Sequence, residues 1–463
     1  MIHVKLRFRA TVSGVRGSKP VPMRTLCALL LVAGCTASAE EVRPPERELF
    51  FPTGAALSPD ERFLFVSNAN SELRYDSGSI SVIDLDLVDQ VAQQWIDSKV
   101  AAPDCTGDLD HKETLGCIEK QFILEGASAR IGNFATDVAV QDTGNGTARL
   151  IVPTRGDPSV AWIDWNGQKL DCNPGAQGFA LCDEGHRLAY VHDDPDLALL
   201  PDEPFDAFAD SSGQFAVVTH LTTGAVTLIN SPIGGKASIA DVATGLFSAD
   251  PLTGLRGATG VAARPTAGGD IIYVAARSED RVQTLTVGHP ANEGPGIPPY
   301  LVPGNYFFLN LVGNNAGGSV DSRGISFSAS GDRMYLINRR PPSLQIFDTS
   351  LGPTGFPRNT GIAATDICRQ ASTLTVMDPG DGERAYVSCF QDGEIYVVDP
   401  RGVSSVEDII LVGRGPYTVV ASLAHKKVYV TNFLEDTVAV IDVSPTSPYR
   451  NRVVLRIGDT RAP

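Results

Sequence analysis

The chain of 463 residues is 43% hydrophobic and 20% charged, with 45 glycines and 31 prolines. That balance allows a sizeable core broken by frequent turns and excludes a disordered or collagen-like chain. Residues 1–34 hold six basic residues and no acidic one, so the remainder carries a formal charge of −22 against −16 for the whole. An acidic surface of this kind repels phosphate backbones, which argues against nucleic acid as a partner.

In chain order the first element is an address. From Met23 the sequence gives one basic residue, Arg24, then an apolar run from Leu26 to Ala33 and the pair Gly34-Cys35. The run is shorter than the roughly 20 apolar residues a bilayer span requires, so it reads as a signal peptide. Val32-Ala33-Gly34-Cys35 resembles the lipobox of bacterial lipoproteins, which implies cleavage before Cys35 and lipidation of its sulfur. Thr36 follows in place of the aspartate that favours inner-membrane retention in enterobacteria. The resemblance therefore implies a cell-envelope protein held through its acyl chains at the outer membrane. The first 22 residues fit poorly ahead of such a signal, which favours Met23 as the start. The expected organisation is a signal region over 1–34, a lipidated and flexible tether over 35–47, and one folded unit over 48–463.

That unit repeats itself. The word VYVTN at 428–432 aligns with LFVSN at 64–68, LIVPT at 150–154, AVVTH at 216–220, IYVAA at 272–276, MYLIN at 334–338 and AYVSC at 385–389. A shorter apolar segment ending in an Asp- or Gly-containing turn precedes each word, as in GAALSPDER and GISFSASGDR, and predicts a hairpin. A third strand follows: SVID, AWID, TLIN, QTLT, QIFD, YVVD and AVID. Outer fourth strands are expected at Gln121–Leu124, Arg187–Val191, Phe307–Val312, Ile409–Val412 and Arg452–Ile457, the last completing the seventh copy without help from Glu48–Phe51. Anchors at Phe65, Ile151, Val217, Tyr273, Tyr335, Tyr386 and Tyr429 are spaced by 86, 66, 56, 62, 51 and 43 residues. The final gap is close to a minimal four-stranded blade, and the longer ones carry insertions.

One four-stranded sheet cannot bury both its faces, whereas seven arranged radially cover one another. The fold class expected is therefore all-β, a seven-bladed β-propeller of four-stranded antiparallel blades. The chain resembles the YVTN family of seven-bladed propellers, whose eponymous run stands unaltered at Tyr429-Val430-Thr431-Asn432 within GPYTVVASLAHKKVYVTNFLEDTVAVIDV. The match is closest in the first and last copies and extends over roughly residues 50–460.

Six cysteines remain beyond Cys27 and Cys35, and their positions suggest the pairs Cys105 with Cys117, Cys172 with Cys182, and Cys368 with Cys389. Recurrent acids at Asp84, Asp164, Asp348, Asp399 and Asp442 close the third strands and read as turn caps, because copies of one position on a ring stay far apart. Function on such a scaffold lies in loops. The ligand-face candidates are Arg74, Arg155, His220, Arg281, Arg339, Arg340, Asp392 and Asp436. The acidic run His192-Asp193-Asp194-Pro195-Asp196, with Asp202, Glu203 and Asp206 after it, could hold calcium but lacks the alternating register of a calcium loop. No other cofactor, no metal and no catalytic constellation is predicted from the motifs.

The reading adopted is a monomeric, membrane-anchored, extracytoplasmic propeller that binds a protein, peptide or glycan without catalysis. Two alternatives stay open: a lactonase-like hydrolase with its site at the channel mouth, since lactonases are propeller relatives of the family, and a redox-associated propeller.

Overall fold

The computed structural model describes residues 42–189, 199–250, 253–288, 298–309 and 321–458. The signal region, Cys35, the start of the tether, the run His192–Asp196 and residues 310–312 lie outside them.

Seven antiparallel sheets follow one another along the chain. Blade 1 comprises Pro52–Leu57, Phe63–Asn68, Gly78–Asp84 and Ala129–Ile131 from centre to rim. Blade 7 comprises Pro416–Ser422, Lys427–Asn432, Thr437–Asp442 and Arg452–Ile457 in the same order. Blades 3 to 6 repeat this plan, and blade 2 splits its rim strand into Leu170–Asp171 and Arg187–Ala189, both paired with Ser159–Trp165. Arg452–Ile457 pairs with Thr437–Asp442, so blade 7 supplies its own four strands, as expected from the sequence.

Alternation along the second strands explains how the blades pack, because successive side chains point to opposite faces. Leu64 and Val66 face blade 7, while Phe65 between them faces blade 2. Val428 and Val430 face blade 6, while Tyr429 faces blade 1. Every recurrent anchor, from Phe65 to Tyr429, is buried against the following blade. The core is thus seven separate interfaces, one per pair of neighbours.

Near the axis these interfaces are stitched by hydrogen bonds running from each blade to the inner strand of the next. Thr53 Oγ1 donates to the Ala135 carbonyl (2.8 Å), Thr136 Oγ1 to Phe205 (2.5 Å), Thr219 Oγ1 to Thr259 (3.2 Å) and Thr259 Oγ1 to Ser322 (2.8 Å). Arg339 Nε donates to Ala371 (2.5 Å), Ser388 Oγ to Tyr417 (3.0 Å) and Thr431 Oγ1 to Thr53 (2.7 Å), which closes the circle. In six blades the fourth letter of the repeated word explains who donates; in blade 1 Ser67 bonds to Gly54 O within its own blade and Thr53 spans the gap. Where it is Thr219, Ser388 or Thr431, that hydroxyl spans the gap. Where it is Pro153 or Ala275, the inner-strand threonines Thr136 and Thr259 take over, and after Ile337 a guanidinium does. The fifth letter bonds mainly inside its own blade: Asn68 donates to Ser79 and Ser81, Asn432 to Thr437, and His220 is bonded to Thr227, while Asn432 also donates to Val412 O at the end of blade 6.

Several features depart from the expectations, among them the rim strand of blade 4, which runs over Tyr300–Phe308 rather than onward from Phe307. The blade 1 insertion opens with a helix, Leu85–Ser98, which the strand pattern did not indicate. Asp84, the acid closing the third strand, accepts the Leu87 amide and thereby caps it, a normal start signal. The rim strand of blade 1 is Ala129–Ile131, while the stretch expected there, Gln121–Leu124, meets the third strand only in an isolated antiparallel bridge of Ile123 with Ile83, Phe122 O accepting the Asp84 amide and Leu124 N donating to Val82 O. Rim strands of blades 3 and 5, Ser238–Ala243 and Thr360–Asp366, were not distinguished by the sequence because the first is half-buried, the second mostly exposed, and neither carries an apolar run.

All three cysteine pairs form disulfides. The first lies within the same insertion, where Leu115–Cys117 pairs in parallel with Arg452–Ile457 and antiparallel with Cys105–Gly107. Blade 7 therefore has six strands, two of them lent by blade 1. Thr114 Oγ1 donates to Val453 O (2.7 Å), and Gly458 N donates to Cys117 O (2.9 Å).

Thr431→Val removes a buried donor and strands the Thr53 carbonyl, so denaturant unfolding should show a loss of about 1–3 kcal/mol. Replacing Cys105 and Cys117 by alanine should lower thermal stability, the cross-link being worth about 3 kcal/mol for a loop of this order. Amide exchange should then accelerate in 452–457 and not in blades 3 to 5. Uniform acceleration around the ring would show that the insertion does not fasten blade 7.

Candidate functional site at the channel mouth

Each inner strand carries an irregularity at the same place. Pairing shifts between Pro52 and Ala55, Pro204 and Ala207, Ala258 and Val261, Ser322 and Ile325, Ala371 and Leu374, and Pro416 and Val419. In blade 2 the equivalent residues lie between the Ala135–Thr154 bridge and Ala139. A bulge of this kind re-aims side chains, here into the central channel. The second residues of the six bulges and their blade 2 counterpart are Gly54, Asp137, Asp206, Gly260, Gly324, Thr373 and Thr418. Glycine is required where neighbours touch: a Cβ on Gly260 would lie 1.9 Å from the Arg323 carbonyl, and one on Gly54 would lie 2.5 Å from the Asp137 backbone.

Five of these, Asp137, Asp206, Gly260, Gly324 and Thr373, line a cavity of about 180 Å³ together with Phe205, Arg323, Arg339 and Tyr417 among others. Its two sides differ chemically. On one, the carboxyls of Asp137 and Asp206 are hydrogen-bonded to each other. The Ala207 amide donates to Asp137 Oδ2 (3.1 Å) and the Val261 amide to Asp206 Oδ2 (2.8 Å). Both acids keep some surface open to the cavity, but protein encloses them otherwise. Burial and the neighbouring Asp137 charge raise the pKa of Asp206 well above the carboxylate range, and burial raises that of Asp137, so the pair shares a proton. Two like charges in such contact cannot both be stable.

On the other side blade 5 concentrates guanidinium groups. Arg323 Nε lies 2.8 Å from Asp321 Oδ1, and Arg277 and Arg340 approach the same buried carboxylate at 3.8 Å. Arg339 donates to Ala371 O and Ser372 Oγ, and among the described residues no carboxylate lies within ion-pair distance of it. Burial, together with the Arg323 charge, brings the pKa of Arg339 down to about 10, so it remains a cation at neutral pH. The Phe205 ring has Arg155 and Arg323 each 5.9 Å from its centroid. Arg155 is paired with Glu203 at 2.6 Å.

Of the loop residues singled out by sequence, Arg339 lines this cavity, whereas Arg155 meets it only through the Phe205 ring and Arg340 only through Asp321. Arg74 and Asp436 meet elsewhere, at the seam of blades 7 and 1, where Asp436 accepts the Phe51 amide (2.6 Å) and Arg74 lies 4.5 Å over the Phe51 ring. Arg281 pairs with Glu279 at the rim of blade 4. Asp392 lines a separate groove of about 730 Å³ between blades 6 and 7 with Phe390, Arg414 and Leu434. His220 is fully buried, and burial takes its pKa down to about 4, so it is a neutral hydrogen-bonding group. Asp206, grouped by sequence with an acidic connector, is instead an inner-strand residue facing the channel.

Asp137, Arg323, Phe205 and Tyr417 were not anticipated. A signal for them exists: aligned on the inner strands, PTGA, ATDV, PFDA, ATGV, SRGI, ASTL and PYTV share one pattern, and its two middle letters are the residues aimed at the axis.

Among the described residues no group of three His, Cys, Asp or Glu side chains is placed to hold a metal ion. No helix among them is long and apolar enough to cross a membrane.

No protein-family profile matches the sequence, and no curated protein does. The fold, by contrast, is shared. Hydrazine synthase from Kuenenia stuttgartiensis superposes with a TM-score of 0.51 at 12% identity, over 87% of this chain and 97% of that one. The periplasmic gluconolactonase of Pseudomonas aeruginosa gives 0.50 at 16%, over 79% and 87%. A protein from Lactobacillus plantarum gives 0.52 at 13%, over 82% and 94%. Likeness at such identities establishes the propeller and carries no activity with it.

Because Asp206 holds its proton more tightly folded than unfolded, stability should be greatest below the ordinary aspartate pKa near 4 and decline as pH rises toward its raised folded value. Asp206→Asn keeps the shape without the charge. Its melting temperature should exceed that of the unaltered protein at pH 8, with the difference vanishing near pH 4. An equal difference at both values would mean that the two carboxyls do not share a proton.

Proposed function

We propose that this chain is a binding module of the bacterial cell envelope, tethered through a lipidated Cys35 and recognising a protein, peptide or glycan with the loop-lined face around its channel mouth. The observation that carries this reading is the blade 5 side of the channel cavity, where Arg339 lies beside Arg323 without a carboxylate of its own. A buried cation left without a counter-charge is costly unless a ligand supplies one. The cavity is smaller than the roughly 300–1,000 Å³ that holds a drug-sized molecule, so it suits the end group of something larger. The neighbouring groove, with the half-buried ring of Phe390 and the exposed side chain of Leu434, offers a surface along which such a ligand would continue.

Three disulfides suit an oxidising compartment, in keeping with the signal peptide and lipobox read from residues 23–35. The resemblance to the YVTN propellers adds to this picture. A single ring that completes its own seventh blade needs no second copy, which supports a monomer.

A second reading, a hydrolase, is favoured by one observation: a carboxyl pair sharing a proton in a cavity is also how acid–base sites are built. One comparison separates the two. The purified protein is applied to glycan and peptide arrays alongside Arg339→Glu, and is separately incubated with lactones and esters. A defined array ligand lost in the variant supports binding. Turnover of a lactone, abolished by Asp206→Ala, with no array ligand, would replace it by the hydrolase. Mass spectrometry of protein from membranes should show Cys35 as an acylated N-terminus, and a free Cys35 within an intact leader would remove the anchor.

A further inference from the structure

The channel cavity presents two chemistries that a single small ligand would have to satisfy together. Arg323 and Arg339 stand on blade 5, and Asp137 with Asp206 stands across the channel on blades 2 and 3. We propose that the cavity is a receptor for a hydroxy-carboxylate, its carboxylate held by Arg339 and Arg323 and its hydroxyl donating to the Asp137–Asp206 pair. The inference rests on the binding role proposed above and specifies what the channel end of the ligand must be.

The reasons are geometric. Arg323 is already partly neutralised by Asp321 at 2.8 Å, but Asp321 is also approached by Arg277 and Arg340, so one carboxylate serves several guanidinium groups. Arg339 uses its Nε on the Ala371 carbonyl and one terminal nitrogen on Ser372 Oγ, both neutral acceptors. A planar guanidinium matches a carboxylate with two parallel hydrogen bonds, which makes an organic acid a better occupant than a halide. The acid pair, by contrast, has its backbone donors already in place through Ala207 and Val261, and what remains is acceptor capacity toward the cavity. Only a group with its own proton can use it. Phe205 and Tyr417 supply aromatic surface between the two ends, suited to the carbon skeleton of such an acid.

The arrangement carries a pH dependence of known sign. The charged group directly contacting Asp206 is Asp137 from blade 2, while blade 4 offers the Val261 amide, blade 5 adds Arg323 and Arg339, and blade 7 adds the Tyr417 phenol to the same cavity. While the pair holds its proton it bears one negative charge. Losing that proton adds a second negative charge inside the cavity that must receive a carboxylate, so affinity falls as pH rises.

The test is isothermal titration calorimetry of the purified protein between pH 5 and pH 9. The probes are D-galacturonate, methyl D-galacturonate, D-galactose, acetate and β-alanine. Galacturonate should bind at pH 5, with the neutral ester, galactose and acetate at least tenfold weaker, and its affinity should drop tenfold or more by pH 9. Arg339→Gln should lose tenfold in affinity while keeping its melting temperature within a few degrees, and Arg339→Lys should recover part of the loss. In Asp206→Asn the fall in galacturonate affinity between pH 5 and pH 9 should disappear, whatever the affinity at pH 5, and a fall as steep as that of the unaltered protein would show that the shared proton does not set it. Tighter binding of β-alanine, rising with pH, would overturn the proposal in favour of an ammonium ligand on the acid pair. Equal binding of galacturonate and its ester would remove the guanidinium role. If no probe binds while the arrays still yield a ligand lost in Arg339→Glu, the hydroxy-carboxylate assignment falls and the binding role stands. If the arrays also fail, both fall.

Discussion

The contact between neighbouring inner strands is what everything else in this molecule depends on. Each blade is a twisted sheet with two apolar faces, and neither face can be left in water. Wedge-shaped sheets solve this only if they converge, and convergence forces seven backbones together around one axis. The polar groups crowded there need partners, and the ring of hydroxyl and guanidinium donors supplies them one blade at a time. The bulges that accompany these contacts turn pairs of side chains inward. The same constraint that closes the core therefore also fills the channel with whatever chemistry those two letters carry, from the Thr-Gly of blade 1 to the Arg-Gly of blade 5.

The consequence for function is an asymmetric channel inside a nearly symmetric frame. Glycine occupies the second bulge place where backbones crowd most, and carboxyls occupy it in blades 2 and 3. Blade 5 brings Arg323 in the first bulge place and Arg339 at the end of its second strand, where a donor was in any case needed for the Ala371 carbonyl. Arg339 thus serves the frame through Nε on the Ala371 carbonyl and one terminal nitrogen on Ser372 Oγ, and leaves its remaining N–H groups for the cavity. This dual use is why a guanidinium stands where other blades make do with a hydroxyl.

The frame was legible in the sequence because burial imposes alternation. Phe65, Ile151, Val217, Tyr273, Tyr335, Tyr386 and Tyr429 stand in strongly apolar words, and all are buried at one kind of interface. The three disulfides could be paired from spacing alone. Rim strands such as Thr360–Asp366 were not legible, since an exposed edge needs no apolar pattern. The helix Leu85–Ser98 was hidden by its position directly after a strand, with Asp84 serving both. The channel residues escaped for another reason. Asp137, Asp206 and Arg323 are single letters in short inner strands, and only superposing those strands reveals that they share a place. Loop charges such as Arg281 and Arg74 are more conspicuous in sequence, yet Arg281 pairs with Glu279 in blade 4 and Arg74 with Asp436 at the seam of blades 7 and 1, and neither lines the channel cavity.

The strands lent by blade 1 to blade 7 have a bearing on life before the ring is finished. A sheet that ends on an exposed six-residue strand offers a template on which other chains can add, and Arg452–Ile457 would be such a template. The segment that covers it, Leu115–Cys117, lies more than 300 residues upstream and ends in a three-residue flanking strand too short to recruit a neighbour. A chain emerging from its amino end would therefore carry the guard for its last edge before that edge exists. Loss of this segment would leave that edge open from the moment it forms, long before any weakness of the finished ring could be noticed.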